Sequence, residues 1–301
     1  MDKPLVSVIM PAYNAALYIS EAIESVINQT FRNWELIIVN DGSTDATKEI
    51  ILGFEKKDRR IKCLFQENGK QGKARNLGIA HSIGKYIAFL DADDLWVENK
   101  LAIQVNYLIA NTEIDLIFSQ GYSLNQGNPI NFDVMVKPIW NINDLPLFIE
   151  KNQIPILSVM VKKTCLIDVD NFSEDLNIQN VEDYHLWLKF LYNNNTFCSI
   201  NNRLFYYRIH RNQSTFNNNI ATPLISLFEL VYHSYENHDQ GKYIAKRIKW
   251  FLFNEVAFDS TFELLKKIFI RRSITSFVLF SLCSRLPLRR LKTKILFQLC
   301  P

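Results

Sequence analysis

The chain has 301 residues, 48% of them hydrophobic and 22% charged, with a formal net charge of +3. That make-up is typical of a soluble globular protein with room for one large domain or two smaller ones. Five scattered cysteines without a CxxC pair argue against a disulfide framework or a zinc site, and no run reaches the ~20 apolar residues of a membrane span.

The opening stretch, MDKPLVSVIMP, carries no signal-peptide cleavage pattern, so a cytoplasmic location is expected. LVSVIM at 5–10 predicts a buried strand, and apolar residues at Ala16, Ile19, Ile23, Val26 and Ile27 predict a helix over 16–27. A second strand is expected at 34–39, followed by NDGSTD, with Thr44 or Asp45 as the cap of a helix over 45–56. A strand at 61–65, a helix near 72–82 and a strand at 86–90 continue the alternation. Apolar strands alternating with helices imply a doubly wound parallel sheet, whose ligands sit beyond the carboxyl ends of the strands. PAYN, NDGSTD and DADD each fall at such an end.

Beyond residue 110 the rhythm changes. Strands are expected at 114–119 and 156–162, and VEDYHLWLKFLY (181–192) predicts a helix whose first turn is acidic, favourable at the positive end of its dipole. Helices rich in Phe, Leu and Lys are expected at 220–258 and 263–300. Residues 263–301 hold nine Lys/Arg against one Glu, so the basic character belongs to the tail. Its longest apolar run, 273–284, is short and bracketed by Arg271, Arg272 and Arg285. Two apolar faces there, Ile274, Phe277, Val278 and Leu282, then Leu288, Leu291, Ile295 and Leu299, suit an anionic membrane surface. They suit packing on the main domain equally well. Without interleaved aromatics the tail resembles no nucleic-acid module, and no nucleic acid is expected as partner.

The chemistry of the strand edge is constrained by what is missing. There is no GxGxxG, no GxxxxGK[ST] and no GxSxG. A nucleotide diphosphate bound at this edge would therefore need another source of positive charge. Mg²⁺ or Mn²⁺ on carboxylates would supply it, keeping positions open for phosphate oxygens. Asp91, Asp93 and Asp94 crowd where a strand ends, and a metal between protein and phosphate would let Asp91 and Asp93 be tolerated there; the alternative is a solvated acidic turn capping a helix at Leu95.

Five ordered segments, PAYNAALYISEAIESVINQTF (11–31), VNDGSTD (39–45), GKARNLGIAHSIGKYIAFLDADD (72–94), VEDYHLWLKF (181–190) and YRIHRNQS (207–214), resemble the family 2 glycosyltransferases over roughly residues 4–215. The resemblance implies an α/β GT-A fold, doubly wound and mostly parallel (Rossmann-like), with a C-terminal helical extension. It divides the chain into a nucleotide-sugar half (1–110), an acceptor half (111–215) and a basic helical region (216–301). It implies an inverting, metal-dependent hexosyl- or N-acetylhexosaminyltransferase, with a UDP-sugar donor and a glycan or lipid-linked acceptor in surface-polysaccharide assembly. Such an enzyme would work in the cytoplasm, peripherally on the inner face of the membrane.

Carried over by position, the resemblance implies that Ala12 and Tyr13 line the base pocket, with Pro11 and Asn14 beside them in the nucleotide-sugar site. Asp41 accepts from the uracil imide, and Arg75 reaches the base or diphosphate. Asp91 contacts the ribose with Ala92 beside it, and Asp93 binds the metal, completed by His210. Arg208 or Arg211 would steady the phosphates. Asp183 is the general base and Glu182 its support; Trp187 belongs to the core or to an acceptor platform. The sequence departs from the family at Asn40, usually an acid, and at Asp170, often glycine. It lacks the QxxRW motif of the processive members, which implies single-sugar addition. A sugar-phosphate nucleotidyltransferase, which would need a GxGTR-like loop, and a non-catalytic nucleotide-sugar or membrane-binding protein are the rival readings.

Overall fold

The computed structural model describes residues 3–125, 127–210 and 213, with seven helical positions between 223 and 231. These lie in one compact unit, Met1–Ser234; a second, Tyr235–Pro301, falls outside the described residues, as do Arg211 and the basic tail. Strand β1 (Val6–Ala12) is buried along its whole length because it lies between β2 (Trp34–Asp41) and β4 (Tyr86–Phe89). With β3 (Ile61–Gln66) outside β2, the order β3-β2-β1-β4 is parallel throughout. Pro11 fits inside this strand for a specific reason. Leu5 and Ile9 turn their carbonyls toward β4, accepting from Tyr86 N–H and Leu90 N–H, and Pro11 has the same parity. Pairing with β4 stops at Ile9, so the N–H that proline lacks faces the side where β4 has already ended.

The helices connecting these strands differ slightly from the sequence expectation. Helix α1 runs Ile19–Ile27, with Ile19, Ala22, Ile23 and Val26 inward. It starts three residues late because Ala15 and Ala16 donate their N–H groups to Thr47 Oγ1 and Asp45 Oδ2 instead. Helix α2 (Thr47–Glu55) has Ala46 at its cap position; Asp45, one residue earlier, accepts from the Thr47 N–H and hydroxyl. Helix α3 spans Lys70–His81.

Past β4 the sheet changes character. Strand β5 (Leu95–Trp96) is followed by α4 (Lys100–Ala110), β6 (Leu116–Asn125) and β7 (Asn128–Phe132). Helix α5 (Leu145–Glu150), β8 (Met160–Lys162), α6 (Lys163–Asp168), α7 (Glu182–Tyr192) and β9 (Phe197–Ile209) complete the unit. The sheet continues β4-β8-β6-β9-β5, with β7 on β6; β8 is antiparallel to β4 and β6, whereas β9 runs parallel to β6. Parallel winding therefore belongs to the N-terminal half and to the β6–β9 pair. The segment expected as one strand at 156–162 is a 3₁₀ turn (Ile156–Ser158) leading into the short β8. Trp96 Nε1, Gln104 Nε2 and Lys100 Nζ donate to the carbonyls of Leu157, Ser158 and Val159, taking acceptors that a strand ladder would otherwise use.

Leu95 does not begin a helix; it pairs with Tyr206 of β9. Trp187 lies fully buried in α7 with its indole N–H on the Ile154 carbonyl, so it serves the core and offers no acceptor platform. Leu227, Phe228 and Val231 are also buried, Phe228 against the Tyr184 ring of α7. Asp170, where the family often shows glycine, keeps a left-handed φ of +56°, as Asn171 does at +47°. Lys189 Nζ caps the carbonyls of Val169, Asp170 and Asn171, holding the turn without a glycine. Among the described residues no helix is long and apolar enough to cross a membrane.

Candidate active site

Helix α3, the turn after β4, the 3₁₀ turn at 156–158, the start of α7 and the end of β9 converge around a cleft of about 310 Å³, whose lining does not include Pro11, Ala12, Tyr13, Asn14 or Asp41 at the ends of β1 and β2. Pro11 and Ala12 are buried at the end of β1, while Tyr13, 51% exposed, and Asn14 stand out on the loop. Asn14, at φ +49°, ties this loop to the next: its N–H donates to Ser43 Oγ, and its Oδ1 accepts from Thr44 N–H. Asn40, the departure from the usual acid, uses its Oδ1 to accept from Ser43 N–H.

Asp41 is buried at the end of β2. Its Oδ1 accepts from Gln66 Nε2 at 2.6 Å and Gly69 N–H at 2.7 Å, and its Oδ2 from Lys70 N–H at 2.9 Å. One carboxylate thus pins the start of α3, and of its roughly four acceptor positions one remains.

Arg75 occupies the centre of the cleft wall. It is 2% exposed; Nη1 donates to Glu182 Oε1 at 2.6 Å and Nη2 to Asp91 Oδ1 at 2.9 Å. Burial works against its charge, but Asp91 and Glu182 outweigh that, so the guanidinium holds its proton more firmly than usual. Each terminal nitrogen gives one N–H to a protein carboxylate, which makes Arg75 a strut between the end of β4 and α7, while its Nε is buried with no hydrogen-bond partner among the described residues. Gly72, one helical turn earlier, lets α3 approach: a Cβ there would sit 2.7 Å from the Ser173 carbonyl oxygen.

The acids after β4 divide their work. Asp94 is buried and accepts the Arg208 N–H at 2.8 Å, anchoring the end of β9; burial, then the Asp93 and Asp91 charges, push its carboxyl well above the ordinary range. Asp93 Oδ2 lies 2.9 Å from His210 Nε2, and burial and the Asp91 charge raise its carboxyl too. Arg208 is committed elsewhere, donating through Nη2 to Glu21 and through Nε to the Asp93 carbonyl, with its guanidinium over the Tyr18 ring. Tyr18 also packs against the His210 ring. The described residues bring no three metal-ligating side chains into one cluster. Asp93 and His210 nevertheless fit a divalent ion, since one carboxylate oxygen and one imidazole suffice when water and phosphate complete the shell. Asp93, crowded by Asp91, is also a group that added positive charge would relieve.

Across the cleft, α7 opens with Glu182 and Asp183. Glu182 is buried on Arg75. Asp183 is partly open to the cleft; its Oδ1 accepts from Tyr184 N–H at 2.7 Å and its Oδ2 from Asn152 Nδ2 at 3.3 Å. Burial and the adjacent Glu182 charge raise its pKa to about 7, against the pull of Arg75. A carboxylate half-ionised near neutrality is suited to taking a proton from a hydroxyl.

The remaining lining includes Gln71, Phe132, Pro155, Asn180 and Tyr207. Tyr207 and Gln213, which also lines the cleft, lie in a motif legible from sequence, as does Tyr18; Gln71, Asn152 and Asn180 carry no local signal.

Comparison with known proteins fixes the family. Residues 7–160 match the model for glycosyl transferase family 2. This chain belongs to family 2 of the glycosyltransferases. Among its relatives is the Escherichia coli UDP-Glc:alpha-D-GlcNAc-diphosphoundecaprenol beta-1,3-glucosyltransferase WfgD, 38% identical over 196 residues, covering 65% of this chain and 73% of WfgD. TuaG of Bacillus subtilis, a glycosyltransferase provisionally assigned to teichuronic acid biosynthesis, is 35% identical over 221 residues, covering 71% of this chain and 83% of TuaG. The crystal structure of S. aureus TarS 1–349 with UDP-GlcNAc superposes with a TM-score of 0.68 at 22% identity, covering 82% of this chain and 71% of that one. The family 2 enzyme described here thus has the GT-A fold, and its relatives include enzymes of cell-surface glycan synthesis.

Proposed function

We propose that the chain transfers one sugar, with inversion, from a UDP-sugar to a hydroxyl of a glycan or lipid-linked acceptor during assembly of a bacterial surface polysaccharide. The observation that carries this reading is the Asp183 carboxyl, poised at about 7 on the cleft wall opposite the acidic turn after β4. The donor fits the half built from residues 1–110, with the base against Pro11, Ala12, Tyr13 and Asn14, the one open acceptor position of Asp41 toward the uracil imide, and the ribose at Asp91 and Ala92. Residues 111–215 supply the acceptor side. UDP as the nucleotide and a lipid-linked acceptor are supported by the substrates in WfgD's name and by the ligand bound to TarS.

Asp183 takes the acceptor hydroxyl proton as that oxygen attacks the anomeric carbon and the bond to the diphosphate breaks on the opposite face. A positioned base of this kind contributes about 10²–10⁴-fold. Glu182 keeps the Asp183 carboxyl in the neutral range by repulsion, and Arg75 holds Glu182 and Asp91 in register across the cleft. Asp93 and His210 would hold Mn²⁺ or Mg²⁺, which when bound neutralises charge on the departing diphosphate.

The test is UDP release from a panel of UDP-sugars, with and without a lipid-linked sugar acceptor. Asp183→Asn should bind UDP like the wild type and lose at least about 10²-fold in transfer. Near-wild-type turnover by that variant would remove Asp183 as the base.

A further inference from the structure

We propose that Asn152 is a positioning residue for the transfer step, its amide N–H holding the Asp183 carboxylate from behind the cleft; this rests on the transferase reading above. Asn152 Nδ2 donates to Asp183 Oδ2 at 3.3 Å, while Tyr184 N–H donates to Oδ1 at 2.7 Å. Each oxygen of the base thus has one donor, and about two acceptor positions remain for an incoming hydroxyl. Asp183 lines the cleft and Asn152 does not, so Asn152 acts on the reaction only through Asp183. Its other bond fixes which end of the amide faces the base. Asn152 Oδ1 accepts from Ile154 N–H at 3.1 Å, which leaves Nδ2 for the carboxylate. The segment carrying Asn152 is latched to α7 on both sides of that residue. The Tyr184 hydroxyl donates to the Phe148 carbonyl, and the Trp187 indole N–H to the Ile154 carbonyl at 3.2 Å. The fold itself aims the amide.

Turn formation alone does not call for asparagine here. The same turn, a side-chain oxygen accepting from the N–H two residues on, recurs at Asp45, Asp58, Asn141 and Asp175. Three of those four are aspartates, so the turn takes a carboxylate as readily as an amide. Beside Asp183 the two differ. An aspartate would add a third carboxylate next to Glu182 and Asp183, whereas asparagine adds a donor. At 3.3 Å the bond is long for a charge-assisted one, as catalytic hydrogen bonds often are before substrate binds. The donor also favours the ionised carboxylate, against burial and the Glu182 charge. The other charged groups around Asp183 are Arg75 from α3, and Asp91, Asp93 and Asp94 across the cleft. Glu150 and Lys151, which precede Asn152, are exposed.

The informative variant is Asn152→Ser, whose hydroxyl can still accept from Ile154 N–H but is too short to reach Asp183. Asn152→Ala, which deletes both bonds, is the second. The assay is UDP release by the full-length protein with saturating Mn²⁺ and the UDP-sugar that the wild type uses, across pH 5–9, with unfolding temperatures measured alongside. Asn152→Ser should unfold close to the wild-type temperature and bind UDP equally well. Its activity midpoint should rise by about half to one pH unit, so kcat/KM should fall about three- to tenfold at pH 6 and distinctly less at pH 9. Asn152→Ala should show the same pH-dependent loss together with a lower unfolding temperature. A wild-type profile in Asn152→Ser would overturn the proposal and reduce Asn152 to a turn former. A loss of equal size at pH 6 and pH 9 would also overturn it, because a displaced cleft wall, not a released carboxylate, would then be the cause. If the wild type releases no UDP from any UDP-sugar, or if Asp183→Asn turns over like the wild type, the transferase reading or its base falls first and takes this inference with it.

Discussion

Transfer should switch on with a midpoint near pH 7. Asp183 must be ionised to take a proton, and its pKa stands at about 7 because burial and the Glu182 charge outweigh Arg75. Below that midpoint kcat/KM should fall about tenfold per pH unit, to roughly a hundredth of the plateau at pH 5. An ordinary aspartate, with a pKa near ~3.9, would still be more than about nine-tenths ionised there. Glu182→Gln tests the cause. Glutamine can still accept from Arg75, but the repelling charge is gone, so the midpoint should move down. Arg75→Gln should move it up. The assay is the initial rate of UDP release at subsaturating donor across pH 5–9. The same shift has a thermodynamic face. A carboxyl whose folded pKa exceeds its unfolded value binds the proton more tightly when folded. Its contribution is complete below the unfolded value and disappears as pH rises through about 7. Asp183→Asn should therefore raise the unfolding temperature, relative to wild type, more at pH 8 than at pH 4. A profile flat down to pH 5, or an upward shift in Glu182→Gln, would refute the reasoning.

Three further outcomes are expected. Asp93→Ala should abolish the gain in UDP affinity that Mn²⁺ gives the wild type, measured by calorimetry with and without the ion. Gly72→Ala should destabilise the fold by about 1–3 kcal/mol in denaturant unfolding, because the new Cβ would lie 2.7 Å from the Ser173 backbone carbonyl, which cannot rotate away. Residues 263–301, whose Lys/Arg groups are each worth ~1 kcal/mol near an anionic surface, should make the full chain sediment with anionic vesicles. A chain ending at residue 262 that binds as well would place the membrane contact elsewhere.

The N-terminal half was legible because β1, β2 and β4 are buried along their whole length, so apolar runs such as LVSVIM and ELIIV mark them without ambiguity. The half beyond residue 110 hid more. Strand β9 includes the Asn-rich stretch SINNR, and its pairing comes from β6, some 80 residues earlier, not from its own pattern. Residues 156–159 look like a strand but are held by Trp96, Lys100 and Gln104, partners that no local window contains. In the site, Asp183, Glu182, Asp93 and His210 were readable because they sit in ordered motifs. Arg75 was readable as a site residue, but its pairing was not, since Glu182 lies 107 residues away in another segment. Asn180, which lines the cleft at φ +70°, carries no local signal that sets it apart from any loop asparagine.

The Arg75 strut also limits how this chain can be recombined. Residues 75 and 182 come from opposite ends of the unit, yet each is buried against the other. A hybrid that grafts a relative's acceptor portion after residue 150 must bring an acid at position 182. Otherwise the buried guanidinium keeps only Asp91 and its Nη1 loses an acceptor, a defect of about 1–3 kcal/mol. Swapping acceptor portions to change what is glycosylated is thus open only among parents that keep both ends of this pair.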